Sequence, residues 1–220
     1  MSLKRRRVLI TAGPTREYLD PVRYLTNASS GAMGFALAEA ARRRGAEVVV
    51  ISGPTCVRAP KGIRLVPVVS ARQMFKKTVA ASRRADVVIG AAAVGDWRVS
   101  RVAAGKIKKT GGKLTLSLVP NPDIIREVFR RRRGHRPVIV GFALETDRLL
   151  SNAKKKQKKK GLDLIVANRE TSIGGSRTRI AILERGGRTR RFPPGTKRRA
   201  AGLILDQIER RLKSHENRTA

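Results

Sequence analysis

The sequence predicts an α/β protein: a Rossmann-like, mostly parallel sheet with helices on both faces, plus an inserted β-arm. Three observations carry that expectation. Runs such as VLITA (8–12), EVVVIS (47–52) and ADVVIGAA (85–92) are β-branched and apolar almost throughout, as strands covered on both faces must be. These runs alternate with segments of helical period, the order that builds a parallel sheet. No repeat and no long linker interrupts the 220 residues, so 1–220 reads as a single domain with an arm over about 99–119.

The first strand, Val8–Ala12, ends in Gly13-Pro14, and Thr15–Ser30 follows without a sustained period. That is a long loop where a plain strand-to-helix connection takes about 2–6 residues, and such loops are often functional. Ser30 can cap a helix over Gly31–Arg44, which Gly45 terminates as a left-handed glycine should. Strands follow at Glu47–Ser52 and Arg64–Val69, and Ser70 caps a helix reaching about Arg84. Ala85–Ala92 is the fourth buried strand. Lys106–Lys109 and Lys113–Val119 flank Thr110-Gly111-Gly112 and read as a hairpin, the arm. Alternation resumes with a helix from about Pro122, a strand at Val138–Ala143, a helix at Thr146–Lys160 and a strand at Leu162–Ala167. Arg179–Glu184 and Arg188–Phe192 form a terminal hairpin, and Ala200–Leu212 is the last helix.

Composition bounds the function. Apolar content of 40% supports a core despite 30% charged residues. The balance of 50 Lys and Arg against 16 Asp and Glu gives a net charge of +34, so the chain will attract polyanions whether or not that is its role. The basic clusters are scattered, most fall where helices end, and aromatics are only 4%. A specific nucleic-acid surface would gather its cations on one face with stacking rings between them. Cys56 is alone, which rules out an internal disulfide and fits a reducing cytoplasm. His135 and His215 are distant in sequence, and neither shows metal-ligand spacing. No apolar run approaches the ~20 residues of a membrane span, and Met1–Arg7 lacks a signal peptide's apolar core.

Three segments are chosen for more than packing. Gly13–Arg16 through Asn27–Gly34 places small residues, including Ser29, Ser30 and Gly31, at a helix N-terminus suited to an anion. The Gly-x-Gly-x-x-Gly fingerprint is missing and Ile51-Ser52-Gly53 offers no acid to a ribose, against a nicotinamide dehydrogenase. Gly90-Ala91-Ala92-Ala93-Val94-Gly95-Asp96-Trp97 leaves the carboxyl end of a strand, where α/β sheets bind ligands. Its small side chains admit a flat base or sugar, and Asp96 can meet ribose hydroxyls or simply cap the next turn. Trp97 fits a packing anchor for the arm better than a stacking platform. Lys106-Ile107-Lys108-Lys109, followed by Pro120-Asn121-Pro122-Asp123-Ile124, can close over phosphates or merely blunt an edge strand.

In chain order, LITAGPTREYLDPVRYLTNASSGAMG, AAAVGDW, GKIKK, PNPDI, GFALET and KGLDLIVAN resemble phosphopantothenate–cysteine ligase. This is the phosphopantothenoylcysteine synthetase domain of bacterial coenzyme A biosynthesis bifunctional proteins. The resemblance runs from about Val8 to Leu212. It implies a Rossmann-like homodimer that uses CTP and Mg²⁺ to join cysteine to 4′-phosphopantothenate through an acyl-cytidylate. The flavin-dependent decarboxylase that precedes this domain in many bacteria is expected to be absent, since only seven residues precede the first strand, and no flavin is expected. By motif, Asn27 binds and orients the acyl carbonyl, with Ser29, Ser30 and Gly31 beside it. Arg23 meets the phosphopantothenate phosphate from the partner subunit. Lys106 closes over the nucleotide, and Gly90, Ala91, Ala92, Asp96, Asn121, Pro122, Asp123, Ile124 and Phe142 meet cytidine. Lys156 and Lys160 hold the triphosphate. No metal ligands are assigned.

Two departures stand out. Relatives usually carry Ser-Ser-Gly-Lys-Met-Gly where this chain has Ala32, and Gly95-Asp96-Trp97 replaces Ala-Asp-Tyr or Ala-Asp-Phe. With the surplus of Lys and Arg, they support the competing reading of a non-catalytic polyanion-binding protein that keeps the fold.

Overall fold

The computed structural model describes residues 3–109, 111–169 and 177–216. The chain forms β1 (Arg7–Ala12), a small hairpin of β2 (Arg16–Tyr18) and β3 (Tyr24–Thr26), α1 (Ala32–Arg43), β4 (Glu47–Ser52), β5 (Arg64–Pro67), α2 (Ala71–Ser82) and β6 (Val87–Gly90). It continues through β7 (Trp97–Val99), β8 (Leu118–Pro120), α3 (Ile124–Arg130), β9 (Val138–Glu145), α4 (Leu149–Lys160) and β10 (Leu164–Arg169). The described C-terminal part holds β11 (Arg177–Thr178), β12 (Ile180–Glu184), β13 (Thr189–Arg191), β14 (Gly195–Thr196) and α5 (Lys197–Glu216).

The main sheet has the order β13-β12-β10-β9-β6-β1-β4-β5. The six strands from β5 to β10 are parallel; β12 and β13 add an antiparallel edge. The chain leaves β1 towards β4 and returns to its other side at β6. That reversal opens a crevice beyond the carboxyl ends of β1 and β6, where open α/β sheets bind ligands.

Strand alternation divides the core. Val8, Ile10, Val87, Ile89, Val138 and Val140 face α1 and α5, whereas Leu9, Ile51, Val88, Ile139 and Ile165 face α2, α3 and α4. Arg44, at the end of α1, ties it to α5 through Asp206 (2.8 Å) and the Gly202 carbonyl (3.0 Å). Gly34 lets α1 lie against β1, because a Cβ there would stand 2.5 Å from the Cβ of Ala12.

The structure corrects several expected elements. The segment 15–30 contains the β2–β3 hairpin. Gly31, at φ +75°, is the N-cap of α1, and the Ser30 hydroxyl only accepts a long bond (3.4 Å) from the Ala32 N–H. The Ser70 cap of α2 is completed by Gln73 in a reciprocal capping box. Among the described residues of the arm, Lys106–Lys109 and Lys113–Val119 do not pair. Instead β7 pairs with β8, closed by the Arg98 guanidinium on the Pro120 carbonyl, and the chain between them is irregular. The last helix begins at Lys197, three residues earlier than expected.

His135 and His215, remote in sequence, meet with ring centroids 4.9 Å apart. Beside them lies Asp163, which accepts from the Ile139 N–H (2.8 Å) and Arg132 (2.7 Å) and stands 3.7 Å from Arg211. Burial, then the Arg211 charge, holds the His215 imidazole below its ordinary 6.5, with Asp163 opposing and His135 and Arg132 adding to the effect. The fold therefore favours the neutral ring. Above 6.5 both states are neutral and this contribution is complete; below it the unfolded chain gains a proton that the folded chain resists, and stability falls. The melting temperature is expected to drop between about pH 7.5 and about pH 5.5, and to drop less steeply in His215→Phe. An unchanged slope in the variant would assign the pH dependence elsewhere.

Candidate active site

A cleft of about 780 Å³ occupies the crevice at the carboxyl ends of β1 and β6. One wall is the turn into α1, Asn27 to Met33; another is the loop Gly90–Trp97; α3 begins at a third, and α4 supplies Lys156 and Lys160. Gly31 is required at the first wall, because its left-handed backbone brings it within 3.1 Å of Gly13 as measured from a would-be Cβ.

The 90–97 loop is fixed from all sides. The Thr11 carbonyl and hydroxyl accept from the Ala91 and Ala92 N–H groups, and the Thr15 hydroxyl accepts from Gly95 N–H at 2.9 Å. Asn121 donates its amide to the Gly95 carbonyl at 2.9 Å, and its backbone N–H to the Asp96 carbonyl at 2.8 Å. Asn27 donates to the Ala93 and Val94 carbonyls at 3.1 and 3.2 Å. The Asn27 amide nitrogen is thus directed at two carbonyls of the loop. Gly90, Ala91, Ala92, Ala93 and Gly95 have no side-chain rotors, and with the loop held by Asn27, Asn121, Thr11 and Thr15 they make a preformed wall.

Charge is placed unevenly. Asp123 caps α3 by accepting from the Arg126 N–H (3.1 Å) and pairs with Lys160 at 3.0 Å. Burial, then the neighbouring Lys160, pushes the Lys156 ammonium down, while Glu145, Asp96 and Asp123 pull it back up. The helix runs unbroken through Lys156 and Lys160, which, four residues apart, lie about 40° from one another on one face. Lys160 is the last residue of α4 and reaches the cleft along its stem.

Asn27, Ser29, Ser30, Gly31, Gly90, Ala91, Ala92, Asp96, Asn121, Pro122, Asp123, Ile124, Phe142, Lys156 and Lys160 all line this one cleft. Arg23 and Lys106 are not among its lining residues. Asp20, fully buried, accepts from the Val22 and Arg23 N–H groups (both 2.8 Å) and from Ile107 N–H (3.1 Å), and pairs with the Arg23 guanidinium at 2.9 Å. Arg23 also donates to the Ile107 carbonyl. Burial pushes the Asp20 carboxyl up, but these three N–H groups and Arg23 outweigh it and hold it below the usual range. The β2–β3 turn and the segment carrying Lys106 are therefore clamped together, outside the cleft. Trp97 lines the cleft mouth at 54% exposure and does not anchor the arm.

Sequence reasoning passed over Asn168, Thr178 and Lys197, which also line the cleft. Asn168 left a signal, a polar residue closing the apolar run LIVAN. Thr178 and Lys197 left none.

Among the described residues no group of three His, Cys, Asp or Glu gathers to hold a metal. Magnesium usually keeps one or two carboxylates beside substrate phosphates and water. Asp96, whose carboxylate makes no hydrogen bond or ion pair among the described residues, fits that minimal donor set.

The doubly wound sheet, with a polar cleft at its switch point, defines an α/β protein of Rossmann-like architecture with its ligand site at the carboxyl edge. The family described as the DNA/pantothenate metabolism flavoprotein C-terminal domain matches residues 3–212, and the chain belongs to it. It is 48% identical over 161 residues to the coenzyme A biosynthesis bifunctional protein CoaBC of Haemophilus influenzae, covering 73% of this chain and 40% of that protein. The Escherichia coli protein of the same name is 48% identical over 169 residues, 76% of this chain and 41% of that one. The chain thus matches about two-fifths of the length of these curated relatives. The crystal structure of the C-terminal domain of a CoaBC protein superposes with a TM-score of 0.85 at 37% identity, covering 97% of this chain and 98% of that one.

Proposed function

We propose that the chain is a phosphopantothenate–cysteine ligase of coenzyme A biosynthesis, using CTP. The observation that carries this reading is the convergence on one cleft of residues assigned from separate sequence blocks, in a family whose curated relatives are named for that pathway.

The reaction needs an activated carboxylate. A carboxylate oxygen of 4′-phosphopantothenate attacks the α-phosphorus of CTP, the bond to the β-phosphate breaks, and pyrophosphate leaves. The cysteine amine then adds to the acyl carbon, loses a proton, and expels CMP. The locked 90–97 wall holds the nucleotide without cost of reorganisation at the moment of reaction. Lys156 and Lys160 oppose the charge that develops on phosphate oxygens, and Asn27 stands beside the acyl position. A Mg²⁺ carried on the triphosphate would be held by Asp96 and would neutralise phosphate charge. Lys106 acts here only if its segment moves, or if a second subunit presents it.

The competing reading, a polyanion-binding protein without chemistry, has the net charge in its favour and the intact cleft against it. Phosphopantothenate, cysteine, Mg²⁺ and CTP supplied together should yield phosphopantothenoylcysteine, CMP and pyrophosphate in equal amounts, read by mass spectrometry, with ATP as the comparison. Absence of product from folded protein with either nucleotide would overturn the proposal.

A homodimer completes it. Val22, Val102 and Leu114 are 58%, 53% and 61% exposed around the β2–β3 and β7–β8 hairpins, and the clamped Arg23 and Lys106 lie on the same side. Burial of that apolar surface by a second copy offsets the repulsion between basic subunits. Light scattering at moderate salt should give twice the chain mass, and a monomer at working concentration would contradict this.

A further inference from the structure

The cleft straddles the carboxyl edge of the sheet and so has two lobes. On the α1/α5 side its floor is Met33, Ala91 and Phe142; on the α3/α4 side it is Ala92, Val94 and Ile125. The lining carries three lysines and two aspartates, and they are not evenly shared. Lys160 is paired with Asp123, and Lys156 feels both Asp96 and Asp123. The α4 lobe therefore holds two cations already answered by two carboxylates. Lys197, the first residue of α5, stands on the other side, and among the described residues it has no ion pair and no acid lines its lobe.

Its placement is costly. The first turn of α5 contains Lys197, Arg198 and Arg199 and no acidic residue, so cations sit at the end of a helix that favours anions. Arg198 is relieved in part by Glu39 at 3.7 Å. Lys197 has no such relief among the described residues, although the β11–β14 pairing of Thr178 with Gly195 and the Thr196 cap on the Arg199 N–H (3.2 Å) fix where α5 starts. The same lobe receives Ser29, Ser30 and the first turn of α1, whose N–H groups suit phosphate oxygens.

We propose that Lys197 binds the β- and γ-phosphates of the nucleoside triphosphate from the α5 side of the cleft. This rests on the ligase reading for the identity of the nucleotide. It gives the α1/α5 lobe the cation that Ala32 does not supply, and leaves Lys156 and Lys160 nearer the α-phosphate. Titration calorimetry of the wild type, Lys197→Met and Lys197→Arg with CTP, CMP and inorganic pyrophosphate tests it. Lys197→Met should weaken CTP and pyrophosphate by about 10- to 100-fold, leave CMP unchanged, and be largely rescued by Lys197→Arg. Lys197→Gln, which keeps more of the polar stem, gives the same split if Lys197→Met does not fold. Equal weakening of CTP and CMP, or no weakening of CTP, would overturn the assignment. So would a raised KM for cysteine with CTP affinity intact, which would give Lys197 to the amino-acid carboxylate. Because binding is read directly, a split between Lys197→Met and the wild type, with a wild type that forms no product, refutes the ligase reading alone. A wild type that ligates, with no split in the variant, refutes the Lys197 assignment alone, and a wild type that binds neither CTP nor pyrophosphate refutes both.

Discussion

Asn27→Asp should stop the second half-reaction and spare the first. The variant is expected to release a single equivalent of pyrophosphate from CTP and phosphopantothenate, then transfer to cysteine about 10²–10³ times more slowly than the wild type. The Asn27 amide donates to the Ala93 and Val94 carbonyls, and the proposed function sets it beside the acyl carbonyl. An aspartate keeps the size, removes both donor hydrogens, and places negative charge where a carbonyl oxygen must become an oxyanion. The loop itself should hold, since Thr11, Thr15 and Asn121 fix it independently. In the proposed mechanism activation draws on the lysines that line the cleft, which the substitution does not touch. Rapid-quench measurement of pyrophosphate and of cysteine incorporation checks this. Normal turnover with cysteine, or loss of the first burst from folded protein, would remove Asn27 from the role assigned to it.

The largest effect on stability is expected at Asp163, which is not among the residues lining the cleft. Its carboxylate is 1% exposed and gathers Arg132, Arg211 and the Ile139 N–H. Asp163→Ala leaves these buried donors without their acceptor, which for a buried pair costs about 3–5 kcal/mol. For a domain of this size that lowers the melting temperature by roughly 6–20 °C. A change of less than a few degrees by calorimetry would mean that the arginines find other partners.

The parallel sheet was legible because its strands are apolar on both faces, and VLITA, EVVVIS and ADVVIGAA have no other use for so many branched side chains. The β2–β3 hairpin was not, since strands of three residues carry no period. Their pairing comes from the buried Asp20 turn and from Glu17, which accepts from the Ala71 N–H at the head of α2 (2.8 Å). The arm misled in the opposite way. Alternation around Gly111-Gly112 matched a hairpin, but among the described residues no core lies beneath it, and Leu114 is exposed. A strand pattern without a surface to cover does not specify a ladder. The 27–34 and 90–97 walls of the cleft were readable from small and polar residues at strand ends, and the 120–124 turn from its Asn-Pro-Asp, whereas Phe142, Lys156 and Lys160 came from the family resemblance. Lys197 was hidden because its position depends on where α5 begins, and the basic run 197–199 looked like the many others in a chain of charge +34.

The central claim is that an oxygen of the phosphopantothenate carboxylate becomes bonded to the α-phosphorus of CTP. Phosphopantothenate labelled with ¹⁸O in its carboxylate, incubated with CTP, Mg²⁺ and cysteine, follows that oxygen directly. The mechanism predicts that the CMP released carries one labelled oxygen in its phosphate and that pyrophosphate carries none. Label in inorganic phosphate with CDP as co-product, or product formed with unlabelled CMP, would contradict it.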